Sequence, residues 1–328
     1  MAKKLVSTVA PSRFEKYGIY FPEDWDITYV DVPYTDEQLI EALKGVEYLF
    51  VGAVHPVSAA VIEANPQLKL IQSEGVAFDK IDFNKAKEMG IPVCNNRGSN
   101  ANCVAEHTIA LMLAAFRIIA LSDRRLKNED YTAVKDDSLA MGVHEIAGKH
   151  IGFVGMGAIA KEAVKKLQGW NVKISYYDTF RPTPEQEKEL NIEYMEFDDL
   201  CKACDVISMH VPVFPETVGM LGAKQFEEMK NTAIVVNTAR GEVINDEALA
   251  HALETGQIAH AALDVVAPEP TPKDHILLNM SPAGMDRLTL TPHIGGMTDE
   301  AFITMLNGAI ANFEAVEAGK EPQNIMNR

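Results

Sequence analysis

Gly152-Phe153-Val154-Gly155-Met156-Gly157-Ala158-Ile159-Ala160 is the stretch on which the reading of this chain turns. The apolar run His150–Val154 predicts a strand, the glycines a turn, and the residues from Ala158 a helix. Gly155 permits the tight turn and Gly157 lets backbone approach a pyrophosphate. Ala160 stands where a third glycine is usual and is small enough for helix and strand to pack closely. A helix opened in this way offers free N–H groups and the positive end of its dipole to phosphates. A second strand, Val172–Tyr177, ends at Asp178, about 20 residues past the turn, where a carboxylate can hold a ribose hydroxyl. The glycine spacing alone is a weak signal. Strand, turn, helix, strand and acid in series point to dinucleotide binding.

The chain has 328 residues, enough for two domains. Hydrophobic residues make up 47% and charged residues 23%, the balance of a globular protein with a packed core. Lys plus Arg is 30 against 47 for Asp plus Glu, a net charge of −17 that argues against nucleic acid or an anionic membrane as partner. The apolar segment Val104–Leu121 contains Glu106, His107 and Arg117 and is not read as a membrane span. The start, basic and briefly apolar before Pro11 and Arg13, reads as a first strand rather than a targeting signal. Of the cysteines Cys94, Cys103, Cys201 and Cys204, the last two spell a lone CxxC with no second pair, and all four are expected to be ordinary thiols of a cytoplasmic protein.

Residues 1 to 100 alternate strand-like runs (Leu5–Val9, Ile27–Val32, Tyr48–Val51, Leu68–Gln72, Ile91–Cys94) with helical patterns around Thr35–Leu43, Ser58–Ala64 and Phe83–Met89. That is a small parallel sheet with helices on both faces. Asn100–Leu121 reads as one helix, apolar all round and therefore buried. From His150 six strands follow in βα order: His150–Val154, Val172–Tyr177, Asp205–Val211, Ala233–Asn237, Ile258–Leu263 and Leu288–Leu290. They predict a doubly wound α/β sheet with its ligands beyond the carboxyl ends of the strands. The amphipathic last helix, Asp299–Ala318, returns to the first domain. The division is thus 1–100 with 297–328, and 101–296.

Arg240, Glu269 and His293 follow three different strands. Arg240 has a planar fork suited to a carboxylate and a neighbouring carbonyl. His293 suits proton exchange with a hydroxyl near neutral pH, and Glu269 can orient its imidazole. Glu106-His107 and His144-Glu145 read as a helix pair and a surface loop, and His210 as structural or cofactor-adjacent. No cluster has metal-ligand spacing.

These pieces resemble the D-isomer-specific 2-hydroxyacid dehydrogenase family over nearly the whole chain. The resemblance is carried by Ser73-Glu74-Gly75-Val76-Ala77-Phe78-Asp79, Val104-Ala105-Glu106-His107, the glycine turn and His210-Val211-Pro212. It continues in Asn237-Thr238-Ala239-Arg240-Gly241, Ala262-Leu263-Asp264-Val265, Glu269-Pro270 and Thr291-Pro292-His293-Ile294-Gly295-Gly296. It implies a Rossmann-type NAD domain and a smaller flavodoxin-like substrate domain. It also implies that Arg240 binds the substrate, that His293 is the acid/base with Glu269 as its partner, and that Gly75, Val76, Ala77 and Phe78 line the substrate loop. By the same resemblance Gly155, Gly157, Ala158, Ile159, Asp178, Val211, Pro212, Thr217, Thr238, Asp264 and Gly295 meet the cofactor, Asp264 holding its carboxamide. Ala77 stands where the substrate loop often has glycine.

The implied reaction is hydride transfer between NAD and a 2-oxo or 2-hydroxy acid, with no nucleic-acid or membrane partner. Asp178 favours NAD, although Arg181 lies near enough in sequence to suit NADP. Phe78 favours an uncharged, unphosphorylated side chain, while Arg97 would suit a phosphate. The alternatives are a D-3-phosphoglycerate dehydrogenase or, in another class, an NADH-sensing corepressor-like protein. The apolar helix Asn100–Leu121 and the resemblance both predict a homodimer.

Overall fold

The computed structural model describes residues 2–328, and the chain forms two compact units. One comprises the residues up to Asn100 together with Met297–Arg328, the other Ala101–Gly296.

The first unit has five strands: β1 (Lys3–Ser7), β2 (Trp25–Tyr29), β3 (Tyr48–Val51), β4 (Leu70–Ser73) and β5 (Val93–Cys94). All are parallel, in the order β2-β1-β3-β4-β5, the flavodoxin-like arrangement. Every residue of β3 and β4 is buried, which is why these strands read as apolar runs without alternation. The helix Asp299–Glu317 belongs to this unit. Thr298 caps it, and Asp299 and Glu300 stand in its positive first turn. Its Phe313 is fully buried, with ring centroids 5.9 Å from Trp25, 5.7 Å from Tyr48 and 5.9 Å from Phe50. Such a ring contributes about 1.5–3 kcal/mol through burial, and with Leu306 and Ala309 in the same core it helps hold the end of the chain on a sheet made by its beginning.

The second unit has seven strands: β6 (His150–Val154), β7 (Lys173–Tyr177), β8 (Glu193–Tyr194), β9 (Val206–Met209), β10 (Ile234–Asn237), β11 (His260–Leu263) and β12 (Leu288–Leu290). Their order is β12-β11-β10-β9-β6-β7-β8, a doubly wound parallel sheet that reverses direction between β6 and β9. The six-strand expectation misses β8. It is a two-residue edge strand, too short to show a hydrophobic period.

The helix predicted over Asn100–Leu121 is two helices. Ala101–Phe116 ends before Ile118, whose φ is 45°, and Ile119–Leu126 departs at 61°. A β-branched residue in the left-handed region is unfavourable, and Ile118 is held there buried, at 6% exposure. Ala101–Phe116 packs on the helix Ala158–Leu167 and over β10 and β11, within its own unit. Its apolar surface is thus consumed by the core that contains Ile151, Phe153 and Ala160. Exposed apolar residues are found instead on Ile119–Leu126 and the segment C-terminal to it: Ile119, Leu126, Tyr131, Leu139 and Val143. Among the described residues no single helix is long and apolar enough to cross a membrane; only the bent pair reaches that composition.

Cys201 and Cys204 are buried, and burial pushes both thiols up to about 12. Cys204 packs on β6, where a methyl group at Gly152 would come within 2.9 Å of its Sγ. Among the described residues no His/Cys/Asp/Glu group could hold a metal ion.

Candidate active site

Strands β10, β11 and β12 are neighbours, and the loops after them carry Arg240, Glu269 and His293. Asn237 ends β10 and staples the first loop. Its Oδ1 accepts from Ala239 N at 2.9 Å and its Nδ2 donates to Arg240 O at 2.7 Å. The half-buried Arg240 guanidinium donates to Ala239 O at 2.7 Å and has no ion pair among the described residues. A surface salt bridge is therefore not its role. Gly241 is required by close approach, since a methyl there would lie 2.2 Å from Ala267 N in the loop that carries Glu269.

His293 Nδ1 and Glu269 Oε2 are 2.5 Å apart. Both side chains are partly exposed, at 47% and 41%, so the pair faces outward from its unit. His293 is held at φ 54°, a strained conformation for a residue other than glycine. The pair lines a cavity of about 470 Å³ with Asp264, Val266, Pro270 and Thr291.

Asp264 is what fixes the turn that bears His293. Its Oδ1 accepts from Thr291 Oγ1 at 2.5 Å and Ile294 N at 2.9 Å, and its Oδ2 from Gly295 N at 2.8 Å. The backbone adds His293 N to Asp264 O at 2.7 Å. Burial opposes the charged form, but hydrogen bonds from His107, Thr291, Gly295 and Ile294 prevail and hold the carboxyl at about 2. The acid expected to meet a carboxamide is thus first of all an internal anchor, with acceptor capacity left on Oδ2.

At the reversal point the glycine turn is built as its spacing implies. Gly155 has φ 94°, and a methyl there would lie 2.6 Å from His210 O. Gly157 precedes the helix Ala158–Leu167, whose N-terminus has no side-chain cap, and nothing lies within 4 Å of a methyl at that position. Ala160 is fully buried against the sheet. Asp178 reaches back to the turn, accepting from Met156 N at 2.6 Å and Phe180 N at 2.8 Å. Open backbone, uncapped amides and a carboxylate at the next strand fit a dinucleotide. Arg181 has its Cζ 3.2 Å from the Tyr194 ring centre and an Nη 3.7 Å from Glu196. Val211 and Pro212 follow β9, and the Thr217 hydroxyl ties their loop by donating to Pro212 O at 2.7 Å. Thr238 is buried, its hydroxyl 2.8 Å from that of Thr108.

In the first unit the loop after β4 is equally specific. All four carbonyls from Gly75 to Phe78 accept hydrogen bonds, from Asn96 N, Asn95 Nδ2, Ser73 Oγ and Ile81 N in turn. Among the described residues none of the four amides has an acceptor. With the carbonyls tied back, the four amides are left as the loop's unpaired backbone donors. Arg97 is exposed.

The sequence reading missed the partners of Asp264. Glu106 pairs with Lys166 at 2.9 Å, while His107, the next residue on the helix, turns to Thr291 at 2.9 Å. No spacing signal links positions 107 and 291. His144 is exposed. His210 stacks on Phe153 and bonds Ser208 at 2.8 Å; burial lowers its pKa to about 3.

A doubly wound sheet with this glycine turn, and a carboxylate after the next strand, is the architecture of a dinucleotide-binding domain. The chain belongs to the D-isomer-specific 2-hydroxyacid dehydrogenases, whose NAD-binding domain matches residues 109–295. It is 33% identical to a glyoxylate reductase of Korarchaeum cryptofilum, over 92% of this chain and 89% of that one. It is 39% identical to a D-3-phosphoglycerate dehydrogenase of Archaeoglobus fulgidus, over 81% of this chain but only 48% of that longer protein. The holo form of Rhodotorula graminis D-mandelate dehydrogenase superposes with a TM-score of 0.87 at 26% identity, covering 100% and 99% of the two chains.

Proposed function

We propose that this NAD-dependent oxidoreductase reduces a small, unphosphorylated 2-oxo acid to its D-2-hydroxy acid. The observation that carries the reading is the 2.5 Å contact between His293 Nδ1 and Glu269, which commits one ring nitrogen and leaves Nε2 for the substrate. Nε2–H donates the proton to the oxygen at carbon 2, and Glu269 steadies the ring throughout. Arg240, without a carboxylate partner of its own, takes the substrate carboxylate through its planar fork. The unpaired amides from Gly75 to Phe78 are proposed as carboxylate donors.

Gly155, Gly157, Ala158 and Ile159 would hold the pyrophosphate, Asp178 the ribose, and Val211, Pro212, Thr217, Thr238 and Gly295 would line the cofactor. Asp264 Oδ2 would accept from the carboxamide. When bound, the nicotinamide supplies the hydride equivalent to carbon 2.

Phe78 packs edge-on against Phe83 at 6.0 Å, an apolar surface for the substrate's side chain, and the glyoxylate reductase relative is named for a small oxo acid. NADH oxidation is to be followed with glyoxylate, hydroxypyruvate and 3-phosphohydroxypyruvate, in wild type and Arg97→Ala. A higher kcat/KM for the unphosphorylated acids is expected. A strong preference for the phosphorylated acid that Arg97→Ala abolishes would assign the protein to phosphoglycerate instead.

We further propose a homodimer, in which a second copy covers the exposed apolar residues Ile119, Leu126, Tyr131, Leu139 and Val143. A monomer mass by light scattering at micromolar concentration refutes it. A cytoplasmic location is proposed on the composition alone.

A further inference from the structure

The proton of Thr291 Oγ1 is committed to Asp264 Oδ1, 2.5 Å away. The 2.9 Å contact between His107 Nε2 and Thr291 Oγ1 therefore requires His107 to be the donor. The same Nε2 lies 3.3 Å from Asp264 Oδ1. A directed chain results, from His107 Nε2–H to the Thr291 hydroxyl to the Asp264 carboxylate. The carboxylate in turn holds the amides of Ile294 and Gly295, and the Asp264 carbonyl holds His293 N. The imidazole also packs on this turn: a methyl at Gly295 would come within 3.1 Å of His107 Cδ2 and 2.9 Å of Asp264 Oδ2. His107 stands on the helix Ala101–Phe116, which is wedged against β10, β11 and the helix Ala158–Leu167. The strained turn at His293 is thereby tied to a helix buried in the core of its unit.

We propose that His107 is a positioning residue for the reaction, acting through Thr291 and Asp264 to hold the turn that presents His293. The proposal rests on the acid/base role given to His293 above. Asp264 has several ways to sit in a polar pocket, and Thr291 has three staggered rotamers. Nε2–H selects the rotamer in which the hydroxyl proton points at Oδ1. Without that donor the hydroxyl can turn away, the carboxylate loses its aim, and the two amides lose a fixed acceptor. A displacement of about 1 Å at a reacting group is worth about 100-fold in rate.

The test uses the full chain, with NADH and glyoxylate as probes, in wild type, His107→Phe, His107→Gln and His293→Gln. Phenylalanine keeps the ring and removes the donor, whereas glutamine keeps a donor. His107→Phe is expected to lower kcat about 10- to 100-fold, with the KM for glyoxylate nearly unchanged. His107→Gln should recover most of the rate. Hydrogen exchange without cofactor gives a readout independent of turnover: the Ile294 and Gly295 amides should exchange faster in His107→Phe only, with β11 unaffected. A normal kcat in His107→Phe, while His293→Gln is inactive, overturns the proposal and leaves the acid/base reading standing. Equal losses in both His107 variants, with protection reduced throughout the unit, also overturn it, because the role is then merely structural. If wild type reduces none of the oxo acids, the functional reading fails instead. Exchange then decides the anchor: unchanged rates at Ile294 and Gly295 refute it, and selective acceleration supports it.

Discussion

Asp264→Asn removes one negative charge and nothing of the side chain's shape. The wild-type carboxylate is 3% exposed and accepts from Thr291, Ile294 and Gly295, with His107 at 3.3 Å. An amide has only one acceptor oxygen, so at least one buried donor is left facing an NH2 group, at a cost of about 1–3 kcal/mol. The carboxyl's acidity gives a second route to the magnitude. Against burial, the hydrogen bonds lower it from 3.8 to about 2. At about 1.4 kcal/mol per pH unit, that difference corresponds to roughly 2 kcal/mol of stability. Because the folded-state value is depressed, this contribution is fully present above the ordinary value near 4 and is lost as pH falls through about 2. Wild type should therefore exceed Asp264→Asn by about 2 kcal/mol at pH 7 and by roughly half that near pH 3. In a unit of this size the neutral-pH difference corresponds to about 4–8 °C in Tm. The assay is thermal and urea unfolding of both proteins without cofactor across that pH range. A Tm difference below about 1 °C at pH 7, or a stability gap that does not narrow on acidification, would refute the network as described.

Four further substitutions probe other parts of the site. His293→Gln should lower kcat about 10²–10⁴-fold while NADH affinity, read by fluorescence titration, barely changes; Arg240→Lys should also be severe, because an ammonium cannot reproduce the bidentate fork. Wild type should prefer NAD to NADP and Asp178→Ala should relax that preference, since Arg181 is engaged by Tyr194 and Glu196; equal wild-type kcat/KM for the two cofactors counts against the ribose role. Gly241→Ala sets a methyl 2.2 Å from Ala267 N, backbone that cannot rotate away, so a loss of about 1–3 kcal/mol by urea unfolding and a reduced kcat are expected; unchanged values of both would show that the two loops are not in contact.

What was legible in the sequence was whatever depends on neighbours along the chain. Gly155, Gly157 and Ala160 mark a turn because backbone angles and helix contact are local, and Tyr48–Val51 and His150–Val154 are bounded as observed because buried parallel strands read as largely apolar runs. The doubly wound order follows from regular βα alternation and the handedness of crossovers, so the residues that follow strands are legible as candidates for chemistry from the sequence itself. Contact between remote segments was not legible. Helix periodicity ran through Ile118, because pattern cannot reveal that burying this residue outweighs its left-handed backbone. Edge strand β8 is made by pairing with β7 rather than by its own two residues. Asp264 could be assigned to a ligand from its place after β11, but its hold on Ile294 and Gly295, and the reach of His107 to Thr291 across 184 positions, exist only once β11, β12 and the helix Ala101–Phe116 are packed together. Hydrogen bonds of that kind depend on positions in space to within a few tenths of an ångström, and the packing of the second unit supplies them.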